Sequence, residues 1–99
     1  MKLNIQSIQF DADQKLLDVI QTKADKLDLY FDRIVSGDVF LRVEKSESRD
    51  NKLVEIKLIV PGNDLFASKR ATTFEEAADE AIDALRRQVK KLKEKLSTR

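Results

Sequence analysis

Two stretches in the middle of the chain alternate apolar and polar residues with a period of two. Val39, Leu41 and Val43 form the first; past a polar turn near Arg49-Asp50-Asn51, Val54, Ile56, Leu58 and Val60 form the second. Side chains recurring at every second residue share one face of a β-strand, so these runs predict a hairpin with one apolar side. Such a sheet needs a second layer to cover it. The flanks supply that layer, because apolar spacing there shifts to the helical period. Over residues 13–31, Leu16, Leu17, Ile20, Ala24, Leu27 and Phe31 recur with no Gly or Pro between them, and Asp11 or Asp13 can cap the start. Further on, Phe74, Ala77, Ala78, Ala81, Ile82, Leu85, Val89, Leu92 and Leu96 repeat the pattern behind Thr73 and Glu76, the spacing of a capping box.

The remaining segments complete the order. Over residues 2–10 Leu3 and Ile5 have one parity and Ile8 and Phe10 the other, which predicts a strand with a bulge or twist near Ser7. Ser36-Gly37-Asp38 reads as a break before the hairpin. Pro61-Gly62 suits the centre of a type II turn, so a short fourth strand is expected over residues 65–68. The prediction is a β-α-β-β-β-α order in one α+β domain spanning residues 1–99, two-layered, with both helices on one face of a mostly antiparallel four-stranded sheet. The open face would carry Arg42, Glu44, Glu55 and Lys57, with Phe40 as its aromatic candidate, and so lacks the stacking platform of a sheet that reads RNA.

Chemistry has few candidates. The chain contains no cysteine and no histidine, which removes disulfides, thiolate and imidazole catalysis and the usual zinc sites. Its two glycines, Gly37 and Gly62, are assigned to turns, and no phosphate-cradling glycine motif occurs. Asp79 and Asp83 stand four residues apart and could in principle share a Mg²⁺, but they sit in a run of acids whose ordinary role is a solvated face, and that is the reading taken. Ser46 and Ser48 lie in a hairpin turn with no base to activate them. The reading is a protein without enzymatic activity, metal, cofactor or small-molecule substrate. With neither a signal peptide nor a membrane-length apolar segment, a cytoplasmic setting is expected.

Charge is where the chain is unusual. Residues 86–99 hold Arg86, Arg87, Lys90, Lys91, Lys93, Lys95 and Arg99 against Glu94 alone, a net +6, which leaves −5 for the rest of a chain whose total is +1. Acids early in a helix and bases late complement its dipole, but that effect fades within the last turn and does not account for bases spread over several turns. A concentrated basic surface is the footprint of a polyanion binder. The first helix carries Lys15, Lys23 and Lys26 along one edge of its apolar stripe, either as solubilising side chains or as a second basic flank. If the helices lie side by side, Lys23 and Lys26 can share a groove with Arg87, Lys90 and Lys91 and grip the phosphates of a folded RNA. A solvated helix end, or one that docks an acidic protein, remains the competing reading.

Three ordered blocks then carry a family resemblance. They are Lys23-x-x-Lys26-Leu27-x-x-Tyr30-Phe31-Asp32-Arg33-Ile34, Val39-x-Leu41-x-Val43-Glu44-Lys45, and Asp83-x-Leu85-x-Arg87-Gln88-x-x-Lys91-x-Lys93-x-Lys95-Leu96. With these, nearly the whole chain resembles the ribosome hibernation-promoting factors, also called ribosome-associated inhibitors, protein Y or sigma-54 modulation proteins, in their short form. The resemblance implies a fold similar to double-stranded-RNA-binding domains. It also implies docking on the small ribosomal subunit near the decoding centre, where the domain sterically blocks messenger and transfer RNA. By the same resemblance Lys23, Lys26, Arg87, Lys91, Lys93 and Lys95 contact ribosomal RNA; Arg86 and Lys90 join them from the charge pattern. Tyr30 and Phe31 read as packing at the helix end rather than as base-stacking residues. The chain departs from the family at Thr73-Phe74-Glu75, where Asp-x-Tyr is common, and at Lys69-Arg70, where small or acidic residues are common. One of the family's names also keeps a protein-interaction role in modulating transcription as the alternative, and a relative that binds free structured RNA as a third reading.

Overall fold

The computed structural model describes residues 1–45 and 49–97, so Ser46, Ser48 and Arg99 lie outside the described residues. Six main elements follow in the order β1 (Lys2–Ile8), α1 (Gln14–Asp25), β2 (Ser36–Val43), β3 (Lys52–Val60), β4 (Asn63–Ala71) and α2 (Phe74–Ser97). The strands form one sheet in the order β1-β2-β3-β4, with β1 parallel to β2 and the other pairs antiparallel. This is the predicted α+β arrangement. None of the described helices is long and apolar enough to cross a membrane.

One face of the sheet is covered by both helices. In register, Ile5, Val39, Ile56 and Ala67 lie in a row across the four strands, and Leu3, Gly37, Leu58 and Leu65 form the next. Ile20 and Leu27 from the first helical segment, and Ala77, Ala78, Ala81, Leu85 and Val89 from α2, close over these rows in a single core. The three alanines have no exposed surface, so the α2 backbone itself comes close to β3 and β4. Asp13 caps α1 by accepting a 2.8 Å hydrogen bond from the Leu16 amide. Thr73 caps α2 by accepting from the Glu76 amide at 3.1 Å, while the Glu76 carboxylate accepts from the Thr72 hydroxyl at 3.0 Å, so Glu76 engages a neighbouring hydroxyl in addition to being capped.

Four expectations are corrected. The β1 register runs one-to-one from Lys2 to Ile8 without an inserted residue; the parity change arises at Gln9, whose φ of 64° turns the chain so that Phe10 leaves the sheet. The first helix stops at Asp25 and tightens into a 3-10 turn, Lys26–Leu29, which still buries Leu27. The fourth strand is as long as the third, because Lys69, Arg70 and Ala71 pair with Val54, Leu53 and Lys52. Gly37 lies inside β2 rather than in a turn. A Cβ there would stand 2.7 Å from Leu3 Cδ2 and 3.2 Å from Leu58 Cδ2, so any larger residue must displace the β1 and β3 side chains that pack over it. Gly62, by contrast, does occupy the Pro61-Gly62 turn, with φ of 77°.

Gly37→Val is therefore expected to destabilise the fold by about 1–3 kcal/mol despite valine's preference for strands, since fully buried Leu58 has no room to yield. Urea unfolding followed by circular dichroism measures it; an unchanged midpoint would show that Leu3 absorbs the whole clash.

Candidate nucleic-acid interface

Strand direction dictates how the helices meet. Since β1 is parallel to β2 and two antiparallel pairings separate β2 from β4, strands β1, β2 and β4 all point the same way. Each helix follows one of these strands and returns across the sheet, so α1 and α2 run side by side in the same direction. Contacts between them occur in matching order. Phe10, just before α1, stacks on Phe74 at the start of α2, with ring centroids 4.9 Å apart and planes 6° from parallel. Further along, Lys23 Nζ lies 2.5 Å from Asp79 Oδ1. Beyond the 3-10 turn, Tyr30 sits beside Arg86.

On α2 the helical period sorts the cations into two rows. Arg86, Lys90 and Lys93 recur along the side that faces Tyr30, and Arg87, Lys91 and Lys95 along the outward side; all six side chains are exposed. Asp83 marks the border between the acidic and basic halves of the helix. Its Oδ1 accepts from Arg86 Nη2 at 2.7 Å, and its Oδ2 from Arg87 Nη1. The Arg86 hydrogen bond, with the Arg87 charge beside it, holds the Asp83 carboxyl below the usual carboxylate range. Reciprocally, Asp83 raises the Arg86 pKa, with a smaller contribution from Tyr30. A depressed carboxyl contributes above its unfolded pKa and loses that contribution as pH falls through its folded value, so acid, not base, releases the two guanidinium groups. In an Arg86→Ala/Arg87→Ala variant the Asp83 carboxyl should titrate at the ordinary value of about 3.9, read by carboxyl NMR.

The single groove expected between the helices is divided in two. Arg86, Arg87, Lys90 and Lys93 gather with Tyr30 and Glu94 around a surface groove of about 570 Å³. Lys23 and Lys26 line a different depression, with Lys15 and Glu75, against the acidic half of α2. Lys26 is exposed there, whereas Lys23 is half-buried and its charge is offset by Asp79. Lys91 and Lys95 stand on the outward row. The carboxylates once weighed as a metal pair are thus engaged, Asp79 with Lys23 and Asp83 with the two arginines.

The family described as sigma 54 modulation protein / S30EA ribosomal protein matches residues 3–97, almost the full chain. The chain belongs to this family. A ribosome hibernation promoting factor of Pseudomonas putida is 33% identical over 95 residues, covering 96% of this chain and 89% of the relative. Among solved structures, a ribosomal subunit interface protein from Coxiella burnetii superposes with a TM-score of 0.83 over 94% of this chain and 98% of that one; at 17% identity this likeness concerns the fold. The N-terminal domain of Protein Y from Thermus thermophilus gives a TM-score of 0.75 at 25% identity, over 92% and 94% of the two chains.

Within this S30EA fold two aromatics take places that the sequence reading did not give them. Tyr30 is 49% exposed and stands among cations, while its neighbour Phe31 is buried. Phe66 is 52% exposed on the open sheet face, flanked in register by Lys57, so Phe40 is not that face's sole aromatic. Two ion pairs also lie on the open face: Lys57 with Asp64 at 3.5 Å, and Arg70 with Glu44 at 2.7 Å. The Lys69-Arg70 departure thereby finds a structural use for Arg70. The signal for Tyr30 was its spacing: three residues past Leu27, beyond Asp28 and Leu29, it falls where a continuous helix would half-bury it, and it stands instead as the cap of the 3-10 turn, about half exposed.

Proposed function

We propose that this protein is a ribosome-hibernation factor that binds small-subunit ribosomal RNA near the decoding centre and sterically excludes messenger and transfer RNA. The observation that carries the reading is the pair of exposed cation rows on the last turns of α2, on a family fold whose relatives are named for ribosome hibernation and the ribosomal subunit interface. Rows of Lys and Arg on a rigid helix contact phosphates and fix orientation without reading bases. Arg86, Arg87, Lys90, Lys91, Lys93 and Lys95 supply these contacts. Lys26 adds to them from the neighbouring depression, and Lys23 adds less because Asp79 already neutralises it. The action is occlusion and needs no chemical step. Its setting is the cytoplasm, where ribosomes work.

Co-sedimentation with purified small subunits tests the reading. The wild-type chain is expected to pellet with them and a Lys90→Glu/Lys91→Glu variant to stay in the supernatant, whereas the charge-matched control Lys2→Glu/Lys57→Glu, on the opposite sheet face, should bind as wild type does. Equal loss in both variants would mean that only net charge matters. A partner captured from lysate equally well after ribonuclease treatment would favour the protein-interaction role that the family's sigma-54 description allows.

A further inference from the structure

We infer that Tyr30 and the cations around it form a nucleotide subsite, where the phenol ring stacks on one unpaired RNA base while Arg86, Lys90 and Lys93 hold the flanking phosphates. The inference rests on the RNA-binding reading above and adds a ligand class to it: a single-stranded or looped-out nucleotide, not continuous duplex.

The support beneath the ring is firm. The Tyr30 and Phe31 amides both donate to the Leu27 carbonyl, at 3.0 and 3.1 Å, and Leu27 and Phe31 are buried in the core on either side. Tyr30 alone of this segment's aromatics is turned outward, and its position is set by a backbone that the core holds in place. The ring stands on a ridge between two depressions. One is the cationic groove toward Arg86, Lys90 and Lys93; the other, of about 730 Å³, is lined by Leu29, Phe31 and Leu96 together with Asp28, Asp32 and Arg33. A base entering the second depression would lie against the ring and the side chains of Leu29 and Leu96, with its phosphates turned away from Asp28 and Asp32 toward the cations.

Physical chemistry selects the ligand. A base inside an A-form helix is already stacked on both sides and sits behind a groove that side chains cannot enter, so an exposed ring gains nothing from duplex. An unpaired base gains a stacking partner. An aromatic ring embedded in a cationic groove is the arrangement by which proteins hold single-stranded nucleic acid, the ring taking the base and the cations the backbone. Arg86 is already set beside Tyr30 and steadied by Asp83, which reduces the ordering that binding would otherwise require.

Tyr30 is the sole tyrosine and the chain has no tryptophan, so intrinsic emission reports on this ring alone. Titration of the full chain with a short oligoadenylate should quench that emission saturably, corrected for absorbance, whereas the same backbone made abasic should bind without quenching. Tyr30→Phe should bind the oligoadenylate within about twofold of wild type, since the ring remains, and Tyr30→Ala should bind about 5- to 150-fold more weakly. Circular dichroism of the alanine variant establishes that it is folded. Unquenched emission at saturation, or an alanine variant that binds as wild type does, would overturn the subsite. If small subunits bind through the α2 cations while Tyr30→Ala changes nothing, the subsite fails and the ribosomal reading stands; if oligoadenylate quenches but subunits do not bind, the reverse holds.

Discussion

Raising the salt from 50 to 200 mM should weaken binding to the small ribosomal subunit by roughly 250- to 1,000-fold, a slope of about −4 to −5 in log affinity against log salt. The figure follows from counterion release: the six exposed cations of α2 each displace one condensed counterion when they meet a phosphate, and the coefficient per contact lies between that of a single strand and that of a duplex. Removing two of them in Lys90→Glu/Lys91→Glu should flatten the slope to about −3 and lower the affinity at every salt concentration, because the new carboxylates repel the phosphates. The Lys23–Asp79 pair enters with the opposite logic. Lys23 is half-buried and paired one-to-one with Asp79, whereas Arg86 and Arg87 are exposed and share a single carboxylate, so Lys23 is the cation least able to reach a phosphate and Lys23→Ala should change the slope much less than Lys90→Ala. Filter binding or sedimentation across a salt series measures all three. A wild-type slope shallower than about −2 would mean that the α2 rows do not carry the interaction, whatever else binds.

That two-row surface was largely legible from residue order, because helical period alone determines which cations share a face. The division of the groove was not. It depends on how far along α2 the first helix sits, and that offset is set by contacts distant in sequence: Phe10 stacked on Phe74, and Lys23 on Asp79. These bring Lys23 and Lys26 level with the acidic turns and leave Tyr30 level with the basic ones. The strands show the same boundary between local and distant information. Val39, Leu41, Val54, Ile56 and Leu58 announced their pairing through alternation, whereas β4 buries Ala67 and Ala71, whose small side chains look neither strand-like nor strongly apolar and are suited to the close approach of the α2 alanines. Gly37 was misread for a related reason: between Ser36 and Asp38 it has the composition of a turn, and only the β1 and β3 side chains packed against it reveal why no larger residue is there.

Leu85→Ala should cost about 2–5 kcal/mol of folding stability, a large share of the 5–15 kcal/mol typical of a small domain. Leu85 has no exposed surface and lies on α2 beside the border where acids give way to bases. Its loss leaves a cavity between α2 and the sheet, and the fully buried alanines nearby are too short to fill it. The urea midpoint should fall by roughly 1–3 M with little change in the denaturant slope. Binding provides the discriminating readout. Arg86 and Arg87 follow directly in sequence and the cation rows are unaltered, so folded molecules of the variant should keep the wild-type salt slope, and small subunits in excess should raise the unfolding midpoint by mass action. A variant that is less stable yet binds with the same slope would show that core packing maintains the helix and surface charge does the binding. A flattened slope in the folded variant would instead mean that Leu85 holds the cation rows in place, and that the geometry of α2 matters to RNA contact as much as its charge.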